Sequence, residues 1–282
     1  MTVGIVGLGL IGASLAKALK AYTTHTVRGF DVDAATTQYA KLSGIIDNDL
    51  PFDALKDCDY VLLAAYPQAN NDYLTKAAPH IASQTVVLDC GGIKREACGI
   101  GFAIAKQYGF TFIGGHPMAG LHRSGIKYAT EELYQNASMI LTPPNTEDIG
   151  LLERVSAFIK SMGFGSVTVT TPAEHDRIIA FTSQLAHVVS NAYVKSPTAE
   201  VHRGFSAGSY QDLTRVARLN ESMWSELFLA NRDNLVYEID TIMETLAEYR
   251  KAIAENNREE LQALLRDGSQ RKERIDCEHA TH

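Results

Sequence analysis

A glycine-rich stretch near the start of the chain reads Gly7-Leu8-Gly9-Leu10-Ile11-Gly12. An apolar strand is predicted just before it, over residues 2–6, and a helix just after it, over residues 13–20. A second strand is predicted over residues 27–30 and ends at Asp31, nineteen residues beyond the last glycine. This order of strand, glycine turn, helix, strand and acid is typical of a βαβ unit that binds a dinucleotide.

The three glycines of the stretch have different physical roles. Gly7 makes the tight turn, Gly9 lets a pyrophosphate approach the backbone, and Gly12 allows the helix to pack closely on the strand. Leu10 and Ile11 lie in the same stretch and are predicted to contact the cofactor. The helix N-terminus supplies amides and a partial positive charge for the phosphates.

Asp31 indicates which dinucleotide binds. Its carboxylate would accept hydrogen bonds from the adenosine ribose and would repel a 2′-phosphate. Asp33 adds a second acid, and no arginine directly follows Asp31, so the sequence predicts NAD as the cofactor. Arg28, earlier on the same strand, keeps NADP as an alternative. The structural alternative is a βαβ unit that binds no dinucleotide.

Apolar strands and helices continue to alternate as far as residue 171. We predict strands over residues 59–65, 85–88, 110–113, 138–141 and 166–170, and helices over 68–78, 94–107 and 147–162. Nearly pure apolar strands are typical of a parallel sheet that is buried on both faces. Tyr66 ends one strand and Gly92 follows another, so both are predicted to contact the cofactor at the ligand edge of the sheet.

A different pattern begins at Thr171-Pro172-Ala173-Glu174, where threonine, proline and glutamate occupy positions typical of a helix start. Beyond it we predict helices over residues 171–193, 211–217, 222–253 and 258–274, and a disordered tail over 277–282. The sequence therefore predicts an α/β Rossmann domain over 1–171, with a doubly wound and mostly parallel sheet, and an all-α domain over 172–282. The apolar stripe along 222–253 predicts a homodimer through the helical domain.

Composition restricts the classes of function. The chain has 282 residues, with 26 Lys and Arg against 33 Asp and Glu, and its net charge of −7 argues against nucleic acid as a partner. No apolar run reaches the ~18 residues of a membrane helix, and the first residues enter a strand at once, so neither a membrane span nor a signal peptide is predicted. The cysteines show no metal-ligand spacing and are expected as reduced thiols in the cytoplasm. They are Cys58, Cys90, Cys98 and Cys277.

The apolar segment 110–113 continues into Gly114-Gly115-His116-Pro117. The two glycines are expected to end the strand, and the proline biases His116 towards an extended backbone. An imidazole there would stand at the ligand edge of the sheet, where it could take a hydroxyl proton as hydride leaves the same carbon. We predict His116 as the catalytic base; the alternative is a turn histidine without chemical function.

The helical half offers two candidates for substrate binding. Arg215 suits bidentate binding of a small anionic substrate through its carboxylate, with a salt bridge to Asp212 as the alternative. His187 lies in an apolar stretch and is either a substrate ligand or a core histidine with a backbone partner. Trp224 is expected to anchor the helical core. The remaining histidines show no metal-ligand pattern, so no metal is predicted; they include His122, His175 and His202.

Together these motifs resemble the prephenate/arogenate dehydrogenases of tyrosine biosynthesis. The resemblance is carried by the glycine stretch, by Gly114-Gly115-His116-Pro117-Met118-Ala119-Gly120, by Ser124-Gly125, by Leu185-Ala186-His187 and by Asp212-Leu213-Thr214-Arg215-Val216-Ala217 with Met223-Trp224. It implies an NAD-dependent dehydrogenase with an all-α dimerisation domain. The substrate it implies is a cyclohexadienol with a ring carboxylate, which leaves as CO2 after NAD has taken the hydride.

The resemblance also implies functions for single residues. His116 would accept the hydroxyl proton, Arg215 would bind the ring carboxylate, and His187 would help to hold the polar side chain of the substrate. Gly208 would lie beside that side chain, and Ser124 belongs to the same set of substrate-binding residues.

Two positions depart from the family pattern. Many members have a serine hydroxyl behind the catalytic histidine where this chain has Gly92, so water, another side chain or the cofactor must complete that hydrogen bond here. Many members also carry a Thr-Glu type pair where this chain has Leu121-His122. The second departure bears on the choice between prephenate and arogenate, which differ by a keto or an amino group.

The leading prediction is an NAD-dependent prephenate dehydrogenase, with arogenate dehydrogenase as the alternative. A β-hydroxyacid dehydrogenase would use a lysine in the helical domain, and Lys195, just before Pro197, is the only lysine between residues 163 and 250. A non-catalytic NAD-binding sensor would lack a base, whereas this chain has His116.

Overall fold

The computed structural model describes residues 1–121 and 123–280. Its strands are β1 (Thr2–Val6), β2 (Thr26–Phe30), β3 (Asn48–Asp49), β4 (Tyr60–Leu63), β5 (Val86–Asp89), β6 (Thr111–Pro117), β7 (Ser138–Thr142) and β8 (Ser166–Val169). Within the described residues these eight strands form one sheet in the order β3-β2-β1-β4-β5-β6-β7-β8. All neighbours run parallel except β6 and β7, which pair antiparallel.

Helices connect the strands in the first half of the chain. They are α1 (Leu10–Tyr22), α2 (Ala34–Leu42), α3 (Pro67–Ala77), α4 (Arg95–Tyr108) and α5 (Ile149–Lys160). The chain winds outward from β1 to β3, returns beside β1 as β4, and then winds the other way. This reversal confirms the predicted doubly wound Rossmann fold and leaves a ligand crevice at the carboxyl ends of β1 and β4. The sequence did not predict α2 and β3. Ala40 is the one buried residue of these two elements, so they carry little apolar pattern.

The sequence predicted that the two glycines before His116 end the strand. This prediction is wrong, because β6 continues through Pro117. They allow close neighbours on both sides of β6. A Cβ atom on Gly114 would lie 2.3 Å from the Thr142 hydroxyl oxygen, and one on Gly115 would lie 2.6 Å from the Asp89 carbonyl oxygen. Both distances are far below van der Waals contact, so the strand needs glycine here in order to fit between β5 and β7.

The second half of the chain is helical, as predicted. Its helices are α6 (Pro172–Ile179), α7 (Ala186–Tyr193), α8 (Gly208–Thr214), α9 (Glu221–Ala230), α10 (Arg232–Ala254) and α11 (Arg258–Ala280). The predicted start of α6 is confirmed: the Thr171 hydroxyl accepts a hydrogen bond from the Glu174 amide at 3.2 Å. A π-helical segment, Ala180–Leu185, joins α6 to α7, and such insertions are frequent at functional sites.

The single helix predicted over residues 222–253 is wrong, since the chain breaks at Asn231 between α9 and α10. The Asn231 side-chain amide donates to the Asp176 carbonyl and to the Gln184 side-chain oxygen, both at 2.8 Å. The break therefore ties α9 to the α6 region.

The chain divides into two compact units, Met1–Arg232 and Asp233–His282. In the first, apolar clusters cover both faces of the sheet, with Ile5 and Leu62 on one face and Val6 and Leu63 on the other. In the second, the Tyr249 hydroxyl donates to the Leu264 carbonyl at 3.2 Å and joins the two helices of that unit.

Two further expectations concern the tail and the membrane. The tail predicted to be disordered over 277–282 is helical as far as Ala280, because α11 extends to that residue, and residues 281–282 lie outside the described part. No helix in the described residues combines the length and the apolar character needed to cross a bilayer. His122 also lies outside the described residues.

Candidate functional site

The glycine loop between β1 and α1 has the geometry that its sequence indicated. Gly7 has a φ of +85°, and a Cβ atom on it would lie 2.7 Å from the Ala65 amide nitrogen. A Cβ atom on Gly12 would lie 1.9 Å from the Gly7 carbonyl oxygen, so only glycine allows α1 to pack this closely on the loop. A Cβ atom on Gly9 would meet nothing within 4 Å, which leaves open space over the loop.

The first turn of α1 is suited to phosphate groups. No side chain of the described residues caps its N-terminus, and the turn carries no acid. Leu10 and Ile11 open the helix and are partly buried, while their contact with the cofactor stays a prediction. Backbone amides and the partial positive charge of a thirteen-residue helix therefore face the open space above Gly9.

Asp31 lies at the end of β2, next to the glycine loop. Its carboxylate accepts hydrogen bonds from the Leu8 amide at 2.7 Å and from the Asp33 amide at 2.9 Å. Arg28 donates instead to the Asp49 carbonyl at 3.3 Å, on the neighbouring strand. A fixed carboxylate at the ribose end of the loop, with the arginine engaged elsewhere, fits NAD.

Tyr66 and Gly92 reach the same edge of the sheet from β4 and β5. Tyr66 is the N-cap residue that precedes α3, and it is 51% exposed. A Cβ atom on Gly92 would lie 3.4 Å from a Leu227 methyl group and 4.0 Å from Nε2 of His116. The structure therefore places Gly92 beside the imidazole, while cofactor contact at both positions stays a prediction.

His116 lies in β6 opposite Ile140 of β7, with its imidazole at the carboxyl end of β5 and β6. Its Nδ1 atom is 2.9 Å from Nε2 of His175, which lies in the first turn of α6. Nδ1 of His175 is in turn 2.7 Å from a carboxylate oxygen of Asp176. The structure thus extends the predicted base into a chain of three side chains, Asp176, His175 and His116.

The electrostatics of this chain favour neutral imidazoles. Burial lowers the pKa of His116 well below its usual value, and the nearby His175 and Lys94 lower it further. Burial also lowers the pKa of His175, although the hydrogen bond with Asp176 opposes the shift. At Asp176 burial works to raise the pKa, but hydrogen bonds from His175 and from the Arg95 and Lys94 amides outweigh it and hold the pKa below its usual value.

A buried ion pair braces the strand that carries His116. Lys94 is fully buried and binds the carboxylate of Asp89, and it also donates to the Gly115 carbonyl at 2.7 Å. Asn70 donates to Asp89 at 3.0 Å and to the Leu63 carbonyl at 3.1 Å. These bonds connect the ends of β4, β5 and β6 and fix the backbone next to the imidazole.

Three predicted substrate-binding residues lie on the helical elements. His187 donates from Nδ1 to the Ser183 carbonyl at 2.8 Å, and its ring centroid is 4.0 Å from that of Trp224. Burial lowers the pKa of His187; the Ser183 bond opposes this shift and the charge of Arg215 adds to it. Arg215 is exposed at the end of α8, and Gly208 is exposed at its beginning. His187 therefore has the backbone partner of the core-histidine interpretation, but it also lies within electrostatic range of Arg215.

The structure brings some predicted residues together and leaves others apart. The glycine loop and Asp31 lie together, and Gly92 lies beside His116. Ser124 is exposed in the connection between β6 and β7, and its contact with substrate stays a prediction. Within residues 1–121 and 123–280, no group of three His, Cys, Asp or Glu is placed to hold a metal ion. Cys58, Cys90 and Cys98 are buried, and burial raises the pKa of these thiols to about 11, 12 and 11.

Sequence reasoning missed His175, Asp176 and Lys94. The predicted start of α6 already placed a His-Asp pair in the first helical turn, but no local pattern indicated that this turn meets the end of β6. His175 and His116 are 59 residues apart in the chain. Lys94 was included in a predicted helix, where a lysine is ordinarily exposed.

Comparison with known families assigns both halves of the chain. Residues 15–168 match the model for the nucleotide-binding domain of prephenate dehydrogenase. Residues 171–267 match the model for the prephenate dehydrogenase dimerization domain. The two matches follow each other in order and cover most of the chain.

Known relatives agree with this assignment. A prephenate dehydrogenase from Bacillus subtilis is 28% identical over 269 residues, which are 92% of this chain and 72% of that protein. The crystal structure of Aquifex aeolicus prephenate dehydrogenase in complex with hydroxyphenyl propionate and NAD+ matches with a TM-score of 0.82 over 98% of each chain, and its sequence is 27% identical. Synechocystis arogenate dehydrogenase is also 27% identical, with a TM-score of 0.80 over 98% of this chain and 100% of that one.

Proposed function

The chain belongs to the prephenate dehydrogenase family, and we propose that it catalyses the oxidative decarboxylation of prephenate to 4-hydroxyphenylpyruvate in tyrosine biosynthesis. It is an NAD-dependent dehydrogenase with a Rossmann fold. The observation that carries the substrate proposal is the imidazole of His116, held 2.9 Å from His175 at the same sheet edge as the glycine loop. A neutral histidine there supplies the base that oxidation of a hydroxyl group requires.

The residues of the chain would divide the reaction between them. When bound, NAD accepts the hydride from the carbinol carbon. His116 takes the hydroxyl proton, and Arg215 holds the ring carboxylate. That carboxylate leaves as CO2, and the electron pair of the broken bond enters the ring and makes it aromatic. The proton held by His116 then returns to the oxygen, which gives the neutral phenol. His187 and Gly208 lie on the helical elements that would face the substrate side chain, and Ser124 is proposed in the same set.

The cofactor contacts are proposed from the geometry of the loop. Gly7, Gly9 and Gly12 shape the space above the first turn of α1, and Leu10 and Ile11 supply its first amides. Asp31 would bind the adenosine ribose. Tyr66 and Gly92 would border the nicotinamide end, because both follow strands that end beside the crevice.

Arogenate is the second candidate substrate, because the structure of an arogenate dehydrogenase resembles this chain about as closely as that of a prephenate dehydrogenase does. The test is an assay of NADH formation that offers prephenate and arogenate side by side, each with NAD and with NADP. We expect the highest kcat/KM with prephenate and NAD. A higher value with arogenate would reassign the substrate, and turnover of neither would overturn the proposed function.

Three broader features are also proposed. The match of residues 171–267 to a dimerization domain supports a homodimer formed through the helical domain over 172–282, and supports the boundary near residue 171. A cytoplasmic location is inferred from the reduced thiols. The proposed partner in the site is a small anionic substrate. Neither nucleic acid nor a membrane is proposed as a partner, and the net charge of −7 disfavours binding to nucleic acid.

A further inference from the structure

We propose that His175 is a positioning residue, which fixes the tautomer of His116 so that its Nε2 atom is the proton acceptor. The proposal rests on the proposed function of His116 as the base, and it identifies what orients that base. In this chain the orienting group comes from α6 of the helical half, 59 residues away in sequence. Gly92, which has no side chain, cannot supply it.

The first step of the argument concerns Asp176, which is fully buried. One of its carboxylate oxygens accepts from the Lys94 amide at 2.8 Å, and the other accepts from the Arg95 amide at 2.9 Å. The Arg95 guanidinium lies 3.3 Å from the second oxygen. A carboxylate surrounded by donors is ionised and can only accept. The hydrogen between Asp176 and His175 therefore belongs to Nδ1 of His175.

The second step follows the hydrogen to His116. A neutral His175 with its hydrogen on Nδ1 has a lone pair on Nε2, so Nε2 must accept. Its partner at 2.9 Å is Nδ1 of His116, which must therefore carry the hydrogen of that bond. A neutral His116 with its hydrogen on Nδ1 has its lone pair on Nε2. Burial and the charge of Lys94 lower the pKa of both imidazoles, which supports the neutral forms.

The third step concerns the space beside Nε2 of His116. A Cβ atom on Gly92 would be only 4.0 Å from this nitrogen, so a larger side chain there would reach it. Glycine leaves the lone pair accessible to a substrate hydroxyl group. The two neighbours of the His116 ring therefore have complementary effects. His175 binds Nδ1, while Gly92 leaves Nε2 accessible.

The test compares His175→Gln with His175→Asn. The glutamine side chain is long enough to present a carbonyl oxygen where Nε2 of His175 lies, so it can still accept from His116. The asparagine side chain is too short to reach it. We expect His175→Asn to lower kcat by about 10- to 100-fold, the loss expected for one buried hydrogen bond, while KM and the NAD dissociation constant change less than threefold. We expect His175→Gln to keep kcat within about fivefold of the wild type.

A second measurement reads the tautomer directly and does not depend on turnover. Nitrogen NMR of the imidazoles should show the wild-type His116 neutral with its hydrogen on Nδ1, and should show loss of that preference in His175→Asn. Three results would each overturn the proposal. The first is an equal kcat for the wild type and His175→Asn, and the second is an equal loss of kcat in the two folded variants. The third is a wild-type His116 with its hydrogen on Nε2. A normal tautomer in a protein that oxidises neither prephenate nor arogenate would instead locate the failure in the proposed function.

Discussion

The two sides of the candidate site are built differently. The side that would accept the proton is largely buried and continuous, because half-buried His116 joins buried His175 and Asp176 in one chain of hydrogen bonds. The side that would bind the substrate carboxylate is exposed, since Arg215 and Gly208 lie at the two ends of the short helix α8. In the first group His116 is bound by His175, and His175 by Asp176, which also accepts from two backbone amides, whereas Arg215 and Gly208 of the second group are open to solvent.

This difference separates two requirements of the reaction. A base must have the correct protonation state and orientation before the substrate arrives, because reorganisation during the reaction would raise the barrier. A carboxylate ligand needs charge, reach and a pair of hydrogen-bond donors, and an arginine side chain in water retains all three. The buried side would therefore fix the orientation and protonation of the base, while the exposed side would supply charge and hydrogen-bond donors to the substrate.

The largest effect is expected at the centre of the buried side. His116→Asn removes the lone pair that would take the proton, while its amide can still donate to His175 and preserve the chain of bonds. We expect kcat to fall by about 10²- to 10⁴-fold, the usual contribution of a general base. Titration with NAD, monitored by calorimetry, should give an unchanged dissociation constant. Near-normal turnover would move the base to another residue.

The second test contrasts a buried ion pair with an exposed one. Lys94→Met leaves the carboxylate of Asp89 buried without its cation, and we expect the free energy of unfolding to fall by about 3–5 kcal/mol. The matched control is Lys20→Met, which removes a partly exposed pair with Asp47 at 2.5 Å and should cost about 0–1 kcal/mol. Denaturant unfolding measures both. Equal losses of unfolding free energy in the two variants would show that the Lys94–Asp89 pair stabilises the protein no more than an exposed pair does.

The Rossmann domain could be predicted because its signals are local. The glycine loop, the acid at residue 31 and the apolar strands each report a backbone requirement within a few residues, and the structure confirms the fold they indicate. The break at Asn231 was not predicted, and the side-chain amide at the break binds Asp176 and Gln184, more than forty residues away in sequence.

The site shows the same limit. His116 could be predicted as the base from the residues around it and from the strand before it, and that role stays a prediction. His175 was visible only as one histidine without a ligand pattern, because its partner is determined by how α6 packs on the sheet. The contact between His175 and His116 therefore becomes visible only in the tertiary structure.

The exposed side is tested by a conservative change. Arg215→Lys keeps the positive charge but loses the fork that binds a carboxylate with two parallel hydrogen bonds. We expect KM for the substrate to rise by about tenfold while kcat changes little, since one charged hydrogen bond is lost. Arg218→Lys, an exposed arginine three residues further on, is the control and should leave KM unchanged. Similar effects of both variants would assign carboxylate binding elsewhere.

The smallest effect concerns pH and tests whether the buried side controls protonation. A base must be neutral to act, so a lowered pKa extends activity to lower pH. With an ordinary pKa near 6.5, about three-quarters of the imidazole would be protonated at pH 6 and kcat/KM would fall about fourfold from its plateau. Because burial, His175 and Lys94 lower the pKa of His116, we expect more than half of the plateau value at pH 6. The measurement is kcat/KM against pH, with melting temperatures at each pH as the control for unfolding. A fourfold or larger fall in a folded protein would show that this imidazole titrates as an exposed one does, and that the contrast between the two sides does not extend to protonation.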